Sequence, residues 1–200
     1  MLFNKLLQEI PDAAADISSQ EIELTMCERD RAATARVIAA IPADGNNEGG
    51  FLYPRAWYEA IAARAFGDEP AALGFFNTAR VEAEKVSRER PSDPKALSVL
   101  GLIDAALGRK EEALREGRSA CEQLPPSKDA VDGSDLATDL AQIYTWAGET
   151  DRAVEQLAST LQIPGNLSYG MLKLHPTWDP LRKDPRFEAL VATLAPEAKK

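Results

Sequence analysis

Two seven-residue segments with the same residue pattern lie forty residues apart, and they limit the possible folds more than any other feature of the sequence. LGRKEEA, residues 107–113, and AGETDRA, residues 147–153, agree in the positions of a glycine, of charged residues and of a final alanine. A glycine that ends one apolar periodic segment, followed by charged residues that begin the next, is typical of a tight turn between helices. The repetition therefore predicts consecutive helix–turn–helix pairs.

The residues around the two turns repeat as well. Leu100 and Gly101 in the first copy correspond to Leu140 and Ala141 in the second. Small residues at such positions allow two helix backbones to approach closely. Weaker copies lie upstream, with turns at residues 27–33 and 66–72. We predict helix pairs at about 13–42, 53–90, 94–124 and 134–163, joined by linkers at 43–50, 90–94 and 125–133.

This spacing resembles the tetratricopeptide repeat, a helix pair of about 34 residues with the pattern W-x2-L-G-x2-Y, A-x3-F and P. Asp104 and Gly117 depart from the pattern in the first copy. The residues that keep its spacing are Leu97, Leu100, Gly101, Ala113 and Pro125, then Ala137, Leu140, Ala141, Tyr144, Ala153 and Leu157. The resemblance implies an all-α protein, a right-handed α-solenoid in which residues 1–200 form a single superhelical domain.

Three segments narrow the resemblance: residues 115–133, 140–157 and 175–187. Together they are similar to the C-terminal tetratricopeptide regions of large bacterial signalling proteins. In those proteins the N-terminal effector is a nucleotide cyclase, a serine/threonine kinase or a winged-helix regulator, and no effector motif occurs in this sequence. The resemblance implies a role in signalling or regulation. It also implies a cytoplasmic location, or a periplasmic one for the tail of a membrane-anchored protein.

Composition and motifs argue against several classes of function. The net charge is −9, whereas nucleic-acid binding requires clustered Lys and Arg that neutralise phosphates. No apolar stretch approaches the roughly 20 residues of a membrane span. Neither glycine-rich phosphate-binding motif is present, and one His with two distant Cys does not provide a usual zinc site. We therefore expect no catalysis, no cofactor, no metal, no nucleic-acid partner and no membrane span.

The segment LKLHPTWDPLRKDPRFEAL, residues 172–190, contains the only histidine, His175. The last pair of a solenoid exposes an apolar face that a further segment must cover. Trp178, Leu181, Phe187 and Leu190 offer the apolar area for this. We expect a capping segment at residues 167–194; the alternative is that the segment has a binding role.

Stacked helix pairs form a concave surface that is lined by the first helix of each pair. Tryptophan and arginine are enriched at the residues that contribute most to binding. Trp57 and Trp146 could either face this groove or pack between neighbouring helix pairs. On helical spacing the residues predicted to face the groove are Trp57, Ile61, Arg64, Ser98, Leu102, Ala105, Thr138, Gln142 and Trp146.

The expected function is a non-catalytic interaction module that binds a peptide or protein segment in this groove. One alternative is a hydrolase in which His175 acts with a carboxylate or with Cys27 or Cys121. Another is a self-associating scaffold, in which a second copy fills the groove or covers an end. The placement of His175 relative to an acid or nucleophile distinguishes the first alternative, and the mass in solution distinguishes the second.

Overall fold

A computed structural model describes residues 20–165 and 167–196 of the chain. Most of these residues are helical, which confirms the prediction of a predominantly α-helical protein. The chain divides into two compact units, Met1–Ala83 and Glu84–Lys200. The single superhelical domain and the right-handed solenoid stay predictions. None of the helices in the described ranges combines the length and the apolar composition that crossing a membrane requires.

The first unit contains helices in the regions around residues 20–40 and 55–89. Helix α1 comprises residues 20–27, and residues 13–19 of the predicted first pair lie outside the described residues. The other helices that begin in this unit are α2, Arg31–Ala40, α3, Arg55–Ala65, and α4, Glu69–Glu89. The bounds of α3 and α4 fall within the predicted pair at 53–90.

A short β-hairpin connects α2 to α3. Its antiparallel strands are β1, Asn46–Glu48, and β2, Phe51–Tyr53, with Glu48 opposite Phe51. Gly49 and Gly50 form the turn with φ of 59° and 97°, a conformation that favours glycine. The sequence analysis predicted a plain linker at 43–50, because this stretch is polar. Two glycines between short runs are also a hairpin signal, and the buried Phe51 anchors the hairpin.

The second unit contains the two pairs with the strongest sequence repetition, followed by the cap. Its four long helices are α5, Pro94–Ala106, α6, Lys110–Gln123, α7, Asp132–Trp146, and α8, Thr150–Thr160. Helix α7 packs against both α5 and α6, and α8 packs against α7. Neighbouring pairs in this unit are therefore joined mainly through α7.

All four described turns between paired helices have the same backbone geometry. At each one, a residue with positive φ ends the first helix, and the next backbone N–H donates to the carbonyl five residues earlier. This is the helix-ending arrangement known as the Schellman motif. The positive-φ residues are Arg29, Gly67, Gly108 and Gly148, with φ of 58°, 79°, 75° and 73°. The matching bonds measure 2.9, 2.9, 2.8 and 2.9 Å.

A small, fully buried residue follows each turn at the same distance. The residue five positions after the positive-φ residue is Thr34, Ala72, Ala113 or Ala153, and each has 0% of its surface exposed. A larger side chain at this position would separate the two helices of the pair. The repeated turn and the repeated small residue together explain why the two seven-residue segments match in sequence.

Three residues bring α5, α6 and α7 into close contact. A Cβ added at Gly117 would lie 2.6 Å from Cδ1 of Ile143, and one added at Gly101 would lie 3.1 Å from the same atom. Ile143 and Ala141 are fully buried. Gly117, a departure from the family pattern, is thus the residue that makes room for Ile143.

The C-terminal segment packs against the last helix pair. It consists of α9, Tyr169–Leu174, a 3-10 turn, Pro176–Leu181, and α10, Pro185–Thr193. The 3-10 turn contacts α7, and α10 contacts α8. Trp178 and Phe187 have 2% and 0% of their surface exposed. The prediction that these two aromatic residues are buried against the pair at 134–163 is therefore confirmed.

Candidate binding site

The accessible side of α7 is a stripe of half-buried, mostly polar residues. Helical spacing of three or four residues places them on one face. The rest of the helix surface is largely taken up by packing against α5, α6 and α8. We call this surface the α7 stripe, and its members are Asp135, Thr138, Asp139, Gln142 and Trp146. Three of the predicted groove residues, Thr138, Gln142 and Trp146, belong to it.

Polar contacts tie the α7 stripe to α5. The hydroxyl of Ser98 donates to Oδ2 of Asp139 at 2.7 Å. Nearer the start of both helices, Lys95 Nζ lies 2.6 Å from Asp132 Oδ2. Both members of this ion pair are partly shielded from water, with 17% and 27% of their side chains exposed. These contacts align the first helices of two consecutive pairs.

The predicted groove residues on α5 are buried rather than open to a ligand. Ser98 and Leu102 each have 1% of their surface exposed, and Ala105 has 2%. Helix α7 packs on α5, and the contact of Ser98 with Asp139 shows that this packing reaches the face that helical spacing had assigned to the groove. In the structure Leu102 and Ala105 are core residues, and Ser98 is a polar contact between helices. The assignment of these three residues to an open surface is wrong.

Trp146, at the end of the α7 stripe, is directed toward the cap. Its Nε1 donates to the carbonyl of Thr177 at 3.3 Å, and the residue is half-buried. This contact favours the packing alternative for Trp146. The cap therefore limits the accessible stripe to the part of α7 that carries Asp135, Thr138, Asp139 and Gln142.

The predicted groove residues of α3 contact other residues of the first unit. Trp57 is 6% exposed; its ring stacks on Tyr53 at 5.6 Å and meets the ring of Phe76 edge-on at 5.9 Å. The guanidinium of Arg64 lies 4.6 Å from the centre of the Phe76 ring and 3.1 Å from Glu69. Ile61 is half-buried. For Trp57 these contacts favour packing over ligand binding.

An acidic cluster that the sequence analysis missed lies where the hairpin contacts α3. The hydroxyl of Tyr58 donates to Oε1 of Glu48 in a short hydrogen bond. Burial raises the pKa of Tyr58, and the charge of Glu48 raises it further. Burial of its carboxyl and the charge of Glu48 raise the pKa of Glu23 to about 7. We call Glu23, Asn46, Glu48 and Tyr58 the hairpin cluster.

His175 has a structural role at the start of the 3-10 turn. Its Nδ1 accepts a hydrogen bond from the backbone N–H of Thr177 at 3.3 Å, and 8% of the residue is exposed. Its carbonyl accepts a bond of 3.1 Å from Arg182. Arg182 also donates to the carbonyls of Leu172 and Lys173, so this side chain closes the C-terminal end of α9. The sequence analysis did not single out Arg182.

The cysteine that could assist a hydrolase, Cys121, is in a setting that suppresses reactivity. Its thiol donates to the carbonyl of Leu136 at 3.2 Å. Burial, with smaller contributions from the charges of Asp139 and Glu122, raises the pKa of Cys121 to about 12. Since the thiolate is the nucleophile, the group is protonated and inert near neutral pH. Cys27 is half-buried.

The described residues include no group of three or more His, Cys, Asp or Glu side chains arranged to hold a metal ion. Comparisons with models of protein families, with curated proteins and with solved structures gave no match to this chain.

Proposed function

We propose that this chain is a non-catalytic binding module built from tetratricopeptide-like helix pairs, acting in bacterial signalling or regulation. The observation that carries the proposal is the turn geometry, which recurs at Arg29, Gly67, Gly108 and Gly148. Repeated helix pairs with small residues at their contacts are suited to presenting an extended surface made from successive first helices. The partner is a peptide or a protein segment.

The α7 stripe is the part of that surface that a partner contacts. Thr138 and Gln142 lie four residues apart and are half-buried, so both present polar atoms on the same accessible face. A glutamine amide has donors and an acceptor, as a peptide backbone does, and Asp139 adds a carboxylate acceptor. These groups fit an extended segment that is recognised mainly through its backbone.

Two observations favour binding over hydrolysis. His175 uses its Nδ1 to cap the 3-10 turn, and the Cys121 thiol is held in its protonated form. A general base or nucleophile needs a reactive nitrogen or thiolate directed at a substrate. The self-associating scaffold stays an alternative, which sedimentation over a range of protein concentrations tests directly.

The binding proposal is tested with peptides selected from a displayed random library, whose affinities are then measured by fluorescence anisotropy. The test variant is the double substitution Thr138→Ala, Gln142→Ala. The matched control is Glu155→Ala, Ser159→Ala, which has the same spacing on the exposed face of α8. We expect the test variant to weaken binding about tenfold or more, a loss of about 1.4 kcal/mol, and the control to bind like wild type.

Peptides that bind the test variant as tightly as wild type would place the binding surface elsewhere. A dimer that forms at micromolar concentration and is unaffected by both double variants would instead support the scaffold alternative. Turnover of an ester or amide substrate that disappears in His175→Ala would support the hydrolase.

A further inference from the structure

The side chain of the chain's only histidine, His175, acts as a hydrogen-bond acceptor in the cap. Its Nδ1 accepts the backbone N–H of Thr177 at 3.3 Å, and so satisfies a donor at the start of the 3-10 turn. An imidazole nitrogen accepts a hydrogen bond only when it carries no proton. The closed turn therefore requires the neutral form of His175, with its proton on Nε2.

The surroundings of His175 oppose a positive charge on the ring. The residue is 8% exposed, so a charged imidazole would lose most of its hydration. The guanidinium of Arg182 donates to the carbonyl of His175 at 3.1 Å, which places a permanent cation beside the same residue. A proton on Nδ1 would also point at the N–H of Thr177, donor against donor. Protonation of His175 and closure of the turn thus oppose each other.

The charged groups around the turn do not reverse this effect. Asp179, in the turn itself, has 45% of its side chain exposed and lies 2.8 Å from Arg182. On α9, Lys173 donates to the hydroxyl of Tyr169 at 2.8 Å. The part of α7 at residues 140–146 contains no charged residue. The charged residues of α10 and of the connection before it are Lys183, Asp184, Arg186 and Glu188.

We propose that His175 makes the docking of the cap on α7 sensitive to acid, because the 3-10 turn closes only around the neutral imidazole. A proton taken up at Nδ1 converts the acceptor into a donor and removes the bond to Thr177. Other contacts of the turn, including those of the buried Trp178 and Leu181, set how rarely it opens at neutral pH. Proton uptake by the open turn raises the opening constant whatever the strength of those contacts.

Opening of the turn changes the end of the α7 stripe. The carbonyl of Thr177 accepts the Nε1–H of Trp146 at 3.3 Å, and the 3-10 turn contacts α7. When the turn opens, Trp146 loses this bond and is uncovered on the side that the turn had occupied. Acid thereby lengthens the surface that the proposed function assigns to a partner. The coupling between His175 and the turn does not itself depend on that function.

The sign and the size of the effect follow from linkage. The closed turn excludes the proton and the open turn accepts it, so closure is favoured at high pH. It weakens as the pH falls through about 6.5, where an imidazole in water titrates. If only the open form binds the proton, the opening constant rises about tenfold between about pH 7.5 and about pH 5.5. Any binding to the closed form makes the rise smaller.

Two measurements on the full chain test the proposal. A single histidine gives one set of imidazole nitrogen signals in NMR, and at about pH 7.5 we expect the form with its proton on Nε2. Hydrogen exchange followed by mass spectrometry, corrected for the intrinsic rate, reports opening of residues 175–181. We expect protection of this segment to fall by up to about tenfold from about pH 7.5 to about pH 5.5.

Two variants assign the pH dependence to a residue. In His175→Asn, Oδ1 stands at the same number of bonds from Cβ as Nδ1 and accepts the same hydrogen bond, but the side chain does not titrate. We expect this variant to lose the pH dependence. The control Asp179→Asn removes the carboxylate of the same turn and is expected to keep it. If His175→Asn does not fold, as judged by circular dichroism, His175→Gln replaces it.

A proton on Nδ1 at about pH 7.5 overturns the proposal, since that nitrogen could not then accept from Thr177. Equal protection of the wild-type segment at both pH values overturns it as well, as does a pH dependence that survives in the His175 variant. Loss of the dependence in Asp179→Asn would assign it to that carboxylate instead. A parallel fall in the protection of α6 would mean global unfolding rather than release of the cap.

Discussion

Adding one methyl group at Gly117 tests the close contact among α5, α6 and α7. In Gly117→Ala the new Cβ lies 2.6 Å from Cδ1 of Ile143 and 3.1 Å from Cδ1 of Leu140. Replacing glycine by alanine inside a helix stabilises it by about 1 kcal/mol, whereas overpacking a core costs about 1–3 kcal/mol. We expect Gly117→Ala to lower the free energy of unfolding by up to about 2 kcal/mol.

A double-mutant cycle isolates the contact. Ile143→Val removes the Cδ1 atom that the new methyl group meets, and alone it costs about 0.5–1.5 kcal/mol. In the Gly117→Ala background the same substitution relieves the overlap. The double variant is therefore expected to be more stable than the sum of the two single changes predicts, by about 1 kcal/mol.

Urea unfolding followed by circular dichroism measures all four proteins of the cycle. Gly74→Ala serves as a control, because Gly74 lies within α4 and no atom approaches its Cβ position within 4 Å. That control is expected to gain about 0.5–1 kcal/mol. Additivity within about 0.3–0.5 kcal/mol, or a gain in Gly117→Ala like that in the control, would refute the close packing around Ile143.

The remaining predictions concern the cap and a cysteine. Trp178→Ala is expected to cost ~3–5 kcal/mol in urea unfolding, because it empties a buried aromatic site. His175→Ala, which removes the cap bond to Thr177, is expected to cost less, ~1 kcal/mol. Equal losses would contradict these roles. Arg182→Ala is expected to lower the free energy of unfolding by ~1–3 kcal/mol, because carbonyls at the end of α9 lose their donor. The same loss is expected to speed proteolysis within residues 172–190. Unchanged proteolysis would argue against this role. In the Cys27→Ser variant, Cys121 is the remaining thiol. At about pH 8, well below its pKa of about 12, we expect it to resist a disulfide reagent in the folded protein and to react fully in denaturant. Rapid labelling of the folded protein would contradict the burial of this thiol.

The helix pairs of the second unit could be predicted because their signals are local. Each turn is encoded by a glycine, a charged helix start and a small residue within seven positions, and these alone set the backbone hydrogen bonds. Arg29 shows the limit of that reasoning, since the same turn forms there without glycine. The cap was predictable for a similar reason, because its large apolar residues are concentrated in one segment.

The hairpin cluster could not be predicted, because its members lie far apart in sequence and follow no period. Glu48 and Tyr58 come together only through the path of the chain between α2 and α3. Leu102 was misassigned because helical spacing identifies a face but not the helix that covers it. One helix that packs on α5 is α7, and its position depends on contacts between separate pairs, such as the one between Gly117 and Ile143.

Arg29 has a consequence for exchanging helix pairs between proteins of this kind. Arginine adopts a φ of 58° less readily than glycine does. The side chain of Arg29, however, donates a hydrogen bond to the carbonyl of Ala65, at the end of α3. Arg31 adds a second bond there, to the carbonyl of Phe66. The first pair is thus hydrogen-bonded to the carbonyls at the C-terminal end of the first helix in the next pair. A pair transplanted into this position has to carry both guanidinium groups to keep these two bonds, because without them the exposed carbonyls at the helix end accept from water instead.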